Sequence, residues 1–443
     1  MSKKLAFATA VSGILCCIAC NERTPPNDEK VMAATSHIER KVEIRKTASG
    51  FQLYRNGSPY FVKGAAGTEH LELLKEAGGN SFRTYTTDGL DTLLDKAEAL
   101  GLTVMAGIWV GRAHEGFDYR DTAAVARQKE EIRAIIRRYK SHPALLCWAM
   151  GNEPNNGMEK SDDLWPALRE LIDMVHEEDP DHPVTVPIYP FAAAELAEKC
   201  PNIDFISVNA FANIIEFVNN YKLDKPFLFT ELGVEGPWEA STTHWYAVIE
   251  DRIGKKCEKV ETHYQHALRD TARSLGSYVF YWGQKQEYTP TWFSLFAENG
   301  DKTPLVDLMF KLWSGSQPAN RAPFLDDLDI DELRNASNRE LTAGRTYSAS
   351  VRASDSEQNT LRFTWEILPD GPFFTYLPGR GKTEIRPKQL EKLLIEDRGE
   401  RIVFRAPANF GPFRLFVHAY DGHGNACSAN LPFFVTNNAL LDD

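Results

Sequence analysis

The 443-residue sequence is poor in the features that mark several large protein classes. Cysteines are few, and those beyond residue 19 show no CxxC pairing and no zinc-site spacing, so no metal is predicted. They are Cys20, Cys147, Cys200, Cys257 and Cys427, and one disulfide among the last three stays open. No GxGxxG motif follows the first predicted strand, so no dinucleotide or other cofactor is predicted. A net charge of −12 lacks the basic footprint that phosphate binding needs, which excludes nucleic acid as a partner.

The composition is that of a globular protein with a large core. Hydrophobic residues make up 43% of the chain and aromatic residues 11%, which argues against global disorder. The length suits one large barrel and one small module. A neutral polysaccharide binds through aromatic faces and hydroxyl hydrogen bonds, so the negative charge leaves such a partner open.

An apolar run opens the chain. Two lysines precede Leu5–Ala19, which is short for a membrane span. The run ends in Cys17-Ile18-Ala19-Cys20, which resembles the lipobox of bacterial lipoproteins. The resemblance implies removal of residues 1–19, lipid attachment to Cys20 and a tether over residues 20–40. We therefore expect a lipid anchor in the bacterial cell envelope, at the periplasmic or surface face of the outer membrane. The alternatives are an ordinary cleaved signal and a cytosolic protein with an apolar start.

Short apolar strands then alternate with helical patterns eight times. A hairpin around Asn56-Gly57 precedes them. Such alternation indicates parallel strands with crossover helices, and eight units in about 250 residues match a TIM barrel. We predict a (β/α)8 barrel over residues 41–315, with a doubly wound open sheet as the alternative. The predicted strands are Phe61–Ala65, Ser81–Tyr85, Thr103–Trp109, Leu145–Met150, Val184–Pro187, Phe205–Asn209, Phe227–Glu231 and Tyr278–Trp282. The predicted helices include Leu90–Leu100, Ala123–Tyr139, Leu164–Glu177 and Val260–Leu275.

The pattern changes after a linker at Ser314–Arg321. Strand-like runs separated by turn clusters predict a small antiparallel β-sandwich over residues 322–438, with one helical insert near Gln389–Glu396. The turn at 421–425 resembles those of Ig-like or cadherin-like modules of bacterial surface enzymes. The strand-like runs are Thr346–Ala353, Leu361–Ile367, Arg401–Ala406, Phe413–Tyr420 and Leu431–Val435.

Two glutamates stand at the ends of predicted barrel strands. Glu153 follows the fourth strand in Gly151-Asn152-Glu153-Pro154, and Glu231 ends the seventh in Thr230-Glu231-Leu232-Gly233. The active site of a TIM barrel is built at the carboxyl ends of its strands. Two carboxyl groups facing each other across the barrel mouth are what glycoside hydrolysis requires. The pattern therefore favours glycosidic bond cleavage.

The stretch from Ser141-His142-Pro143 through Trp148 to Pro154 resembles the strand-four signature of clan A glycoside hydrolases, particularly families 2 and 5. The resemblance covers residues 50–315 and implies that Glu153 is the acid/base and Glu231 the nucleophile. It further implies that Asn152 donates to the sugar 2-hydroxyl, that Arg83 is the partner of the nucleophile and that Trp282 lies under the sugar. Four further residues are predicted to bind substrate: Tyr85, Trp109, Asn209 and Trp238.

One departure from the family pattern concerns the sixth strand. Many relatives carry a tyrosine there that hydrogen-bonds the nucleophile, whereas this chain has Phe211. Either another residue such as Tyr281 or Tyr85 substitutes, or the enzyme is slower or uses a modified site. Glu235 and Glu239, in the loop after strand seven, are lower-ranked alternatives for the nucleophile. Arg83 is expected to keep Glu231 ionised, while Glu153 holds a proton.

These patterns predict a retaining β-glycoside hydrolase acting on a β-glucan or β-mannan. Retention requires carboxyl groups about 5–5.5 Å apart. A transglycosylase on the same barrel is one alternative. A non-catalytic glycan-binding lipoprotein is another, because Phe211 departs from the family pattern.

Overall fold

The computed structural model describes residues 41–156, 162–334, 336, 338–377 and 381–437. The predicted signal peptide, the predicted lipidation site Cys20 and the tether lie outside these residues. Within the described ranges, no helix combines the length and the apolar character that crossing a membrane requires. The four cysteines in these ranges are all free thiols, so no disulfide joins Cys200, Cys257 or Cys427.

A three-stranded antiparallel sheet of β1 (Val42–Thr47), β2 (Gly50–Arg55) and β3 (Ser58–Tyr60) opens the described chain. Its turn has φ of 48° at Asn56 and 73° at Gly57, as a two-residue hairpin turn requires, so the predicted hairpin is confirmed. The sheet contacts the residues that precede two barrel strands. The Val42 amide donates to the Asp181 carbonyl, and the Phe51 amide donates to the Ala272 carbonyl. It therefore lies at the end of the barrel opposite to the predicted site.

Parallel strands form the barrel, and their segments pair in one continuous order. The fifth strand is divided at Val186: one half pairs with the fourth strand and the other half with the sixth, which closes a ring of eight. The barrel prediction therefore holds. The segments are β4 (Val62–Ala66), β5 (Ser81–Arg83), β6 (Thr103–Ile108), β7 (Leu145–Met150), β8 (Val184–Thr185), β9 (Pro187–Ile188), β10 (Ile206–Ala210), β11 (Phe227–Leu232) and β12 (Ser274–Val279).

Helices surround the barrel; most are amphipathic and bury one face, whereas all of residues 304–310 of the last helix are buried. In the longest, Ile132, Ile136 and Tyr139 are buried at spacings of three and four residues. Asp121 caps that helix by accepting hydrogen bonds from the amides of residues 123 and 124, at 2.9 and 3.0 Å. The helices are α1 (Leu71–Glu76), α2 (Leu90–Leu100), α3 (Thr122–Tyr139), α4 (Leu164–Glu178), α5 (Ala193–Lys199), α6 (Ile214–Asn220), α7 (Ile253–Ala267) and α8 (Pro304–Ser314).

Two predicted boundaries in the last barrel unit are wrong. α7 lies several residues before the predicted Val260–Leu275, and β12 ends at Val279 rather than Trp282. The aromatic run Phe280-Tyr281-Trp282 continues the apolar pattern beyond the last strand pairing, so it extended the predicted strand. This shift changes which aromatic residue faces the site.

The remaining strands form the β domain, residues 324–437. One four-stranded sheet has the order β13-β15-β20-β19, the other β14-β22-β21-β16, and β17-β18 is a separate hairpin. Phe404 of the first sheet and Phe433 of the second are buried, with ring centroids 6.3 Å apart, so the sheets pack together. The strands are β13 (Phe324–Ile330), β14 (Glu340–Thr342), β15 (Thr346–Ser354), β16 (Arg362–Pro369), β17 (Phe374–Leu377), β18 (Gly381–Glu384), β19 (Leu394–Asp397), β20 (Arg401–Arg405), β21 (Gly411–Tyr420) and β22 (Ala426–Thr436).

The all-β prediction agrees with this part of the structure, and the likeness to Ig-like modules stays a prediction. The helical insert near Gln389–Glu396 is wrong, because β19 occupies its second half and pairs antiparallel with β20. All four β19 side chains are exposed. In this segment, strand pairing at the edge of the sheet therefore determines the structure, although the leucines are spaced as in a helix.

Candidate active site

A cavity of about 940 Å³ opens at the carboxyl end of the barrel strands. Its volume is at the upper end of the range of about 300–1,000 Å³ found for small-molecule sites. Glu153 and Glu231 both line it, together with aromatic and amide side chains from other strand ends. The structure thus brings the two predicted carboxyl groups to one cavity.

Glu231 lies on β11 and is almost fully buried. Its Oε1 accepts hydrogen bonds from Arg83 Nη1 at 3.1 Å and from the Tyr85 hydroxyl at 2.9 Å. Arg83 ends β5, and its side chain is 1% exposed, so this ion pair is shielded from water. The structure therefore places Arg83 against the predicted nucleophile, as the family resemblance implies. It also places Tyr85, one of the two residues considered as substitutes for the missing tyrosine, on the same oxygen.

Burial raises the pKa of the Glu231 carboxyl to about 7, and the charge of Glu153 adds to this effect. Arg83, Lys285 and the Tyr85 hydrogen bond act in the opposite direction but do not cancel it. Arg83 thus favours the ionised carboxyl, as expected, but burial outweighs it and the pKa stays raised. The charge of Glu153 is thus one cause of the raised pKa of Glu231, so the two carboxyl groups interact across the cavity.

Glu153 is held by its backbone and by two side chains. Its φ is 50°, an unusual left-handed conformation for glutamate, and its amide donates to the Pro187 carbonyl at 2.9 Å. Its Oε1 accepts from Asn209 Nδ2 at 2.9 Å. Burial, the charge of Glu153 and a hydrogen bond to its carboxyl raise the pKa of Tyr189. Tyr189 was not predicted as a site residue, although it directly follows the fifth strand.

Amide side chains connect the two carboxyl groups. Asn209 Oδ1 accepts from Thr230 Oγ1 at 2.8 Å and from Arg83 Nη1 at 3.3 Å, which directs its Nδ2 toward Glu153. Asn152 Oδ1 accepts from Arg83 Nη2 at 2.6 Å and from Asn209 Nδ2 at 3.0 Å. These contacts orient the Asn152 amide so that its Nδ2 is the group left to donate to a ligand.

Exposed aromatic side chains border the cavity. Trp238 is 63% exposed and Phe191 is 80% exposed. Phe191 stacks on Tyr189 with a centroid separation of 5.4 Å and an interplanar angle of 7°. Such exposed ring faces suit sugars, which offer both apolar C–H faces and hydroxyl groups. Trp238 was predicted, whereas Phe191 was not, because it lies in a loop beyond the fifth strand.

The prediction that Trp282 stacks under a sugar is wrong for this structure. Its ring is fully buried, its Nε1 donates to the His70 carbonyl at 3.3 Å, and it packs against Trp313. Phe280 and Tyr281 line the cavity instead. Trp109 is 44% exposed but does not line the cavity.

Phe211 contacts two other aromatic residues of the cavity lining. Its ring packs edge-on against Trp238 at 6.0 Å and Phe280 at 5.7 Å, so it forms an apolar wall.

Of the alternative nucleophiles, Glu235 pairs with Lys259 at 2.6 Å. Glu239 lines the cavity, but its carboxylate accepts from the Gly236 amide at 2.8 Å and stabilises the loop.

A closed (β/α)8 barrel with paired glutamates at the ends of its fourth and seventh strands defines a class, the barrels built to cleave glycosides. The model of the family described as glycosyl hydrolases family 2, TIM barrel domain, matches residues 68–307, more than half of the chain. The chain belongs to this family.

Its curated relatives are longer proteins. A β-glucuronidase of Paenibacillus borealis is 26% identical over 237 residues, covering 47% of this chain and 37% of the relative. Human β-glucuronidase is 24% identical over 229 residues, covering 44% of this chain and 34% of the relative. The chain thus spans about a third of the length of these relatives. The solved structure of Ruminococcus gnavus β-glucuronidase superimposes with a TM-score of 0.50 at 18% identity, covering 63% of this chain and 53% of that one. This likeness supports the fold.

Proposed function

We propose that the protein hydrolyses β-glycosidic bonds with retention of configuration, using Glu231 as nucleophile and Glu153 as acid/base. One observation carries the proposal: a buried Glu231 carboxyl, held by Arg83 and Tyr85, interacts with Glu153 across a single cavity. Membership of a glycosyl hydrolase family supports it.

The proposed reaction has two displacements. Glu231 attacks the anomeric carbon while Glu153 gives its proton to the leaving glycosidic oxygen, so the C–O bond breaks as the glycosyl ester forms. Glu153 is then ionised and takes a proton from water, whose oxygen attacks the same carbon and releases Glu231 as a carboxylate. Asn209 and Tyr189 orient Glu153, and the Asn152 amide donates to a sugar hydroxyl.

We propose a neutral β-glucan or β-mannan as the substrate. Four carboxyl groups line the cavity, those of Glu153, Glu231, Glu239 and Glu287, against the single cation Lys285 among the described lining residues. Lys285 already pairs with Glu287 at 2.5 Å. Among the described lining residues, no cation is thus left unpaired to hold the carboxylate of an anionic sugar.

A β-glucuronide is the second candidate, because the relatives named above are β-glucuronidases and Lys285 could pair with a uronate carboxylate. Hydrolysis of aryl β-glucoside, β-mannoside and β-glucuronide decides between the two. A preference for the glucuronide that the Lys285→Met variant loses would contradict the neutral substrate.

The proposed catalytic pair is tested by three matched variants. We expect Glu153→Gln and Glu231→Gln to abolish the release of reducing sugar, while Glu216→Gln, an exposed glutamate of α6, keeps full activity. A 2-fluoro glycoside should add to wild-type Glu231, as seen by peptide mass spectrometry. Full activity in either catalytic variant would rule the assignment out. Products elongated by added sugar acceptors would indicate a transglycosylase instead, and glycan binding without turnover of any substrate would favour the non-catalytic alternative.

We also propose that the mature protein is lipid-anchored through Cys20, on the strength of the lipobox-like residues 17–20. Expression with labelled fatty acid in a bacterium tests this. Wild-type protein should incorporate the label and fractionate with membranes, whereas Cys20→Ser should do neither. Equal labelling of both proteins would contradict the anchor.

A further inference from the structure

The β domain reaches the edge of the catalytic cavity through its hairpin β17-β18. Glu384, the last residue of β18, accepts a hydrogen bond from the Tyr288 amide at 2.6 Å and one from Gln286 Nε2 at 3.4 Å. Both donors lie in the loop that follows β12 of the barrel. The Glu384 carboxylate of the β domain thus fixes a short loop of the barrel.

The same loop carries two charged side chains into the cavity lining. Lys285 and Glu287 form an ion pair at 2.5 Å, and the Lys285 ammonium lies 4.9 Å from the centroid of the Phe280 ring. They alternate along the chain with the two residues that Glu384 holds. Fixing residues 286 and 288 therefore fixes where the side chains of residues 285 and 287 meet the cavity.

We propose that Glu384 is a positioning residue, by which the β domain sets the Lys285–Glu287 pair at the edge of the catalytic cavity and so completes the substrate site. The role in substrate binding rests on the proposed glycosidase function. The positioning itself does not, because it concerns a contact between the β domain and a barrel loop.

The base of the hairpin is anchored in the β domain, which gives Glu384 a fixed position. The Ile385 amide donates to the Phe373 carbonyl at 2.8 Å, and Arg386 Nη2 lies 2.5 and 2.7 Å from the two carboxylate oxygens of Glu366 on β16. Glu384 itself is half-buried. Burial raises the pKa of its carboxyl, with a smaller contribution from Glu287, while the hydrogen bonds from Gln286 and Tyr288 lower it. The two hydrogen bonds therefore offset a desolvation cost that a solvent-exposed glutamate would not have.

Steady-state kinetics of three variants test the proposal. We expect Glu384→Ala to raise KM about 10-fold with kcat nearly unchanged, which corresponds to loss of about one hydrogen bond. Glu384→Gln should stay close to wild type, because its amide oxygen can accept both hydrogen bonds. Glu391→Ala, an exposed residue of the same domain, is the control and should change neither constant.

Chemical labelling of Lys285 gives a second readout that needs no turnover. We expect acetic anhydride to acetylate Lys285 several-fold faster in Glu384→Ala than in wild type, with Glu384→Gln and Glu391→Ala unchanged, as measured by peptide mass spectrometry. If wild type cleaves no glycoside, the proposed function fails and the labelling still decides the positioning role. Unchanged Lys285 labelling in folded Glu384→Ala overturns the proposal. The proposal is also overturned if the loss of activity in Glu384→Ala parallels a fall in its melting temperature and Glu384→Gln does not restore the activity.

Discussion

At the scale of single residues, the protein places two acids of the same type in different surroundings. Glu231 is buried against a guanidinium and a phenol, and Glu153 stands on a left-handed turn with an amide and a phenol. Burial and the neighbouring charge of Glu153 raise the pKa of Glu231. The two acids thus differ in their neighbours, which suits the different roles proposed for them.

The raised pKa of Glu231 predicts the pH dependence of the reaction. Glu231 must be ionised to attack, so we expect kcat/KM to fall as pH drops below about 7, where its carboxylate takes up a proton. Glu153→Gln removes the like charge that helps to raise this pKa. With an aryl glycoside that needs no acid, the acid-side decline of this variant should therefore lie at lower pH than that of wild type. An acid-side decline at the same pH in both proteins would contradict the contribution of the Glu153 charge.

The Tyr85 hydroxyl predicts a second effect. We expect Tyr85→Phe to lower kcat/KM roughly 10- to 100-fold, since a hydrogen bond to a charged group contributes about 1.5–3 kcal/mol. Tyr281→Phe is the matched control, because Tyr281 also lines the cavity but does not hold Glu231. Equal losses of kcat/KM in the two variants would contradict a specific role for the Tyr85 hydroxyl that donates to Glu231.

At the scale of elements, the end of each barrel strand decides which side chains face the cavity. Glu153 and Glu231 both line it, as their positions at the ends of two predicted barrel strands indicate. Tyr189 was missed because strand five was predicted to stop at Pro187. Trp282 was chosen wrongly because strand eight was predicted to end three residues too late, at Trp282 rather than Val279. Side-chain direction at a strand end depends on the last pairing, which local apolarity does not reveal.

The loop after β11 offers a test at this scale. A Cβ on Gly236 would lie 2.3 Å from the Trp238 ring, so only glycine allows the ring its present position. We expect Gly236→Ala to displace Trp238 and to raise KM for a polysaccharide about 2- to 10-fold, an effect of the size of one aromatic contact. Trp238→Ala should show the same change. A normal KM in Gly236→Ala together with a raised KM in Trp238→Ala would contradict the steric argument.

At the scale of the whole molecule, buried polar contacts join the barrel to the β domain. Arg414 on β21 pairs with Asp370 at 2.8 Å and donates to the Val248 carbonyl in the loop after β11. Asn430 on β22 donates to Glu250, which also pairs with Lys256 at 2.5 Å. The barrel and the strands of the β domain could be predicted from the periodicity of the hydrophobic residues. The Arg414–Val248 and Asn430–Glu250 contacts could not, because each joins residues more than a hundred positions apart that no local pattern relates.

Removing Arg414 should therefore destabilise the entire protein. We expect Arg414→Met to lower the free energy of unfolding by about 3–5 kcal/mol, because it leaves the buried Asp370 without its partner. Arg398→Met, which removes an exposed ion pair with Glu396, should cost at most about 1 kcal/mol. Urea denaturation measures both values. Equal stabilities of the two variants would contradict the importance of the buried contact.

The two donors to Glu231 make the oxygens of its carboxylate different from each other. Arg83 and Tyr85 both bind Oε1, and among the described residues no hydrogen bond to Oε2 is found. The two oxygens of one carboxylate are therefore chemically distinct before any substrate arrives. Oε1 is occupied by its donors, and the lone pairs of Oε2 are free for bond formation. In a trapped glycosyl ester, the sugar should thus be attached through Oε2, with Oε1 still held between the guanidinium and the phenol.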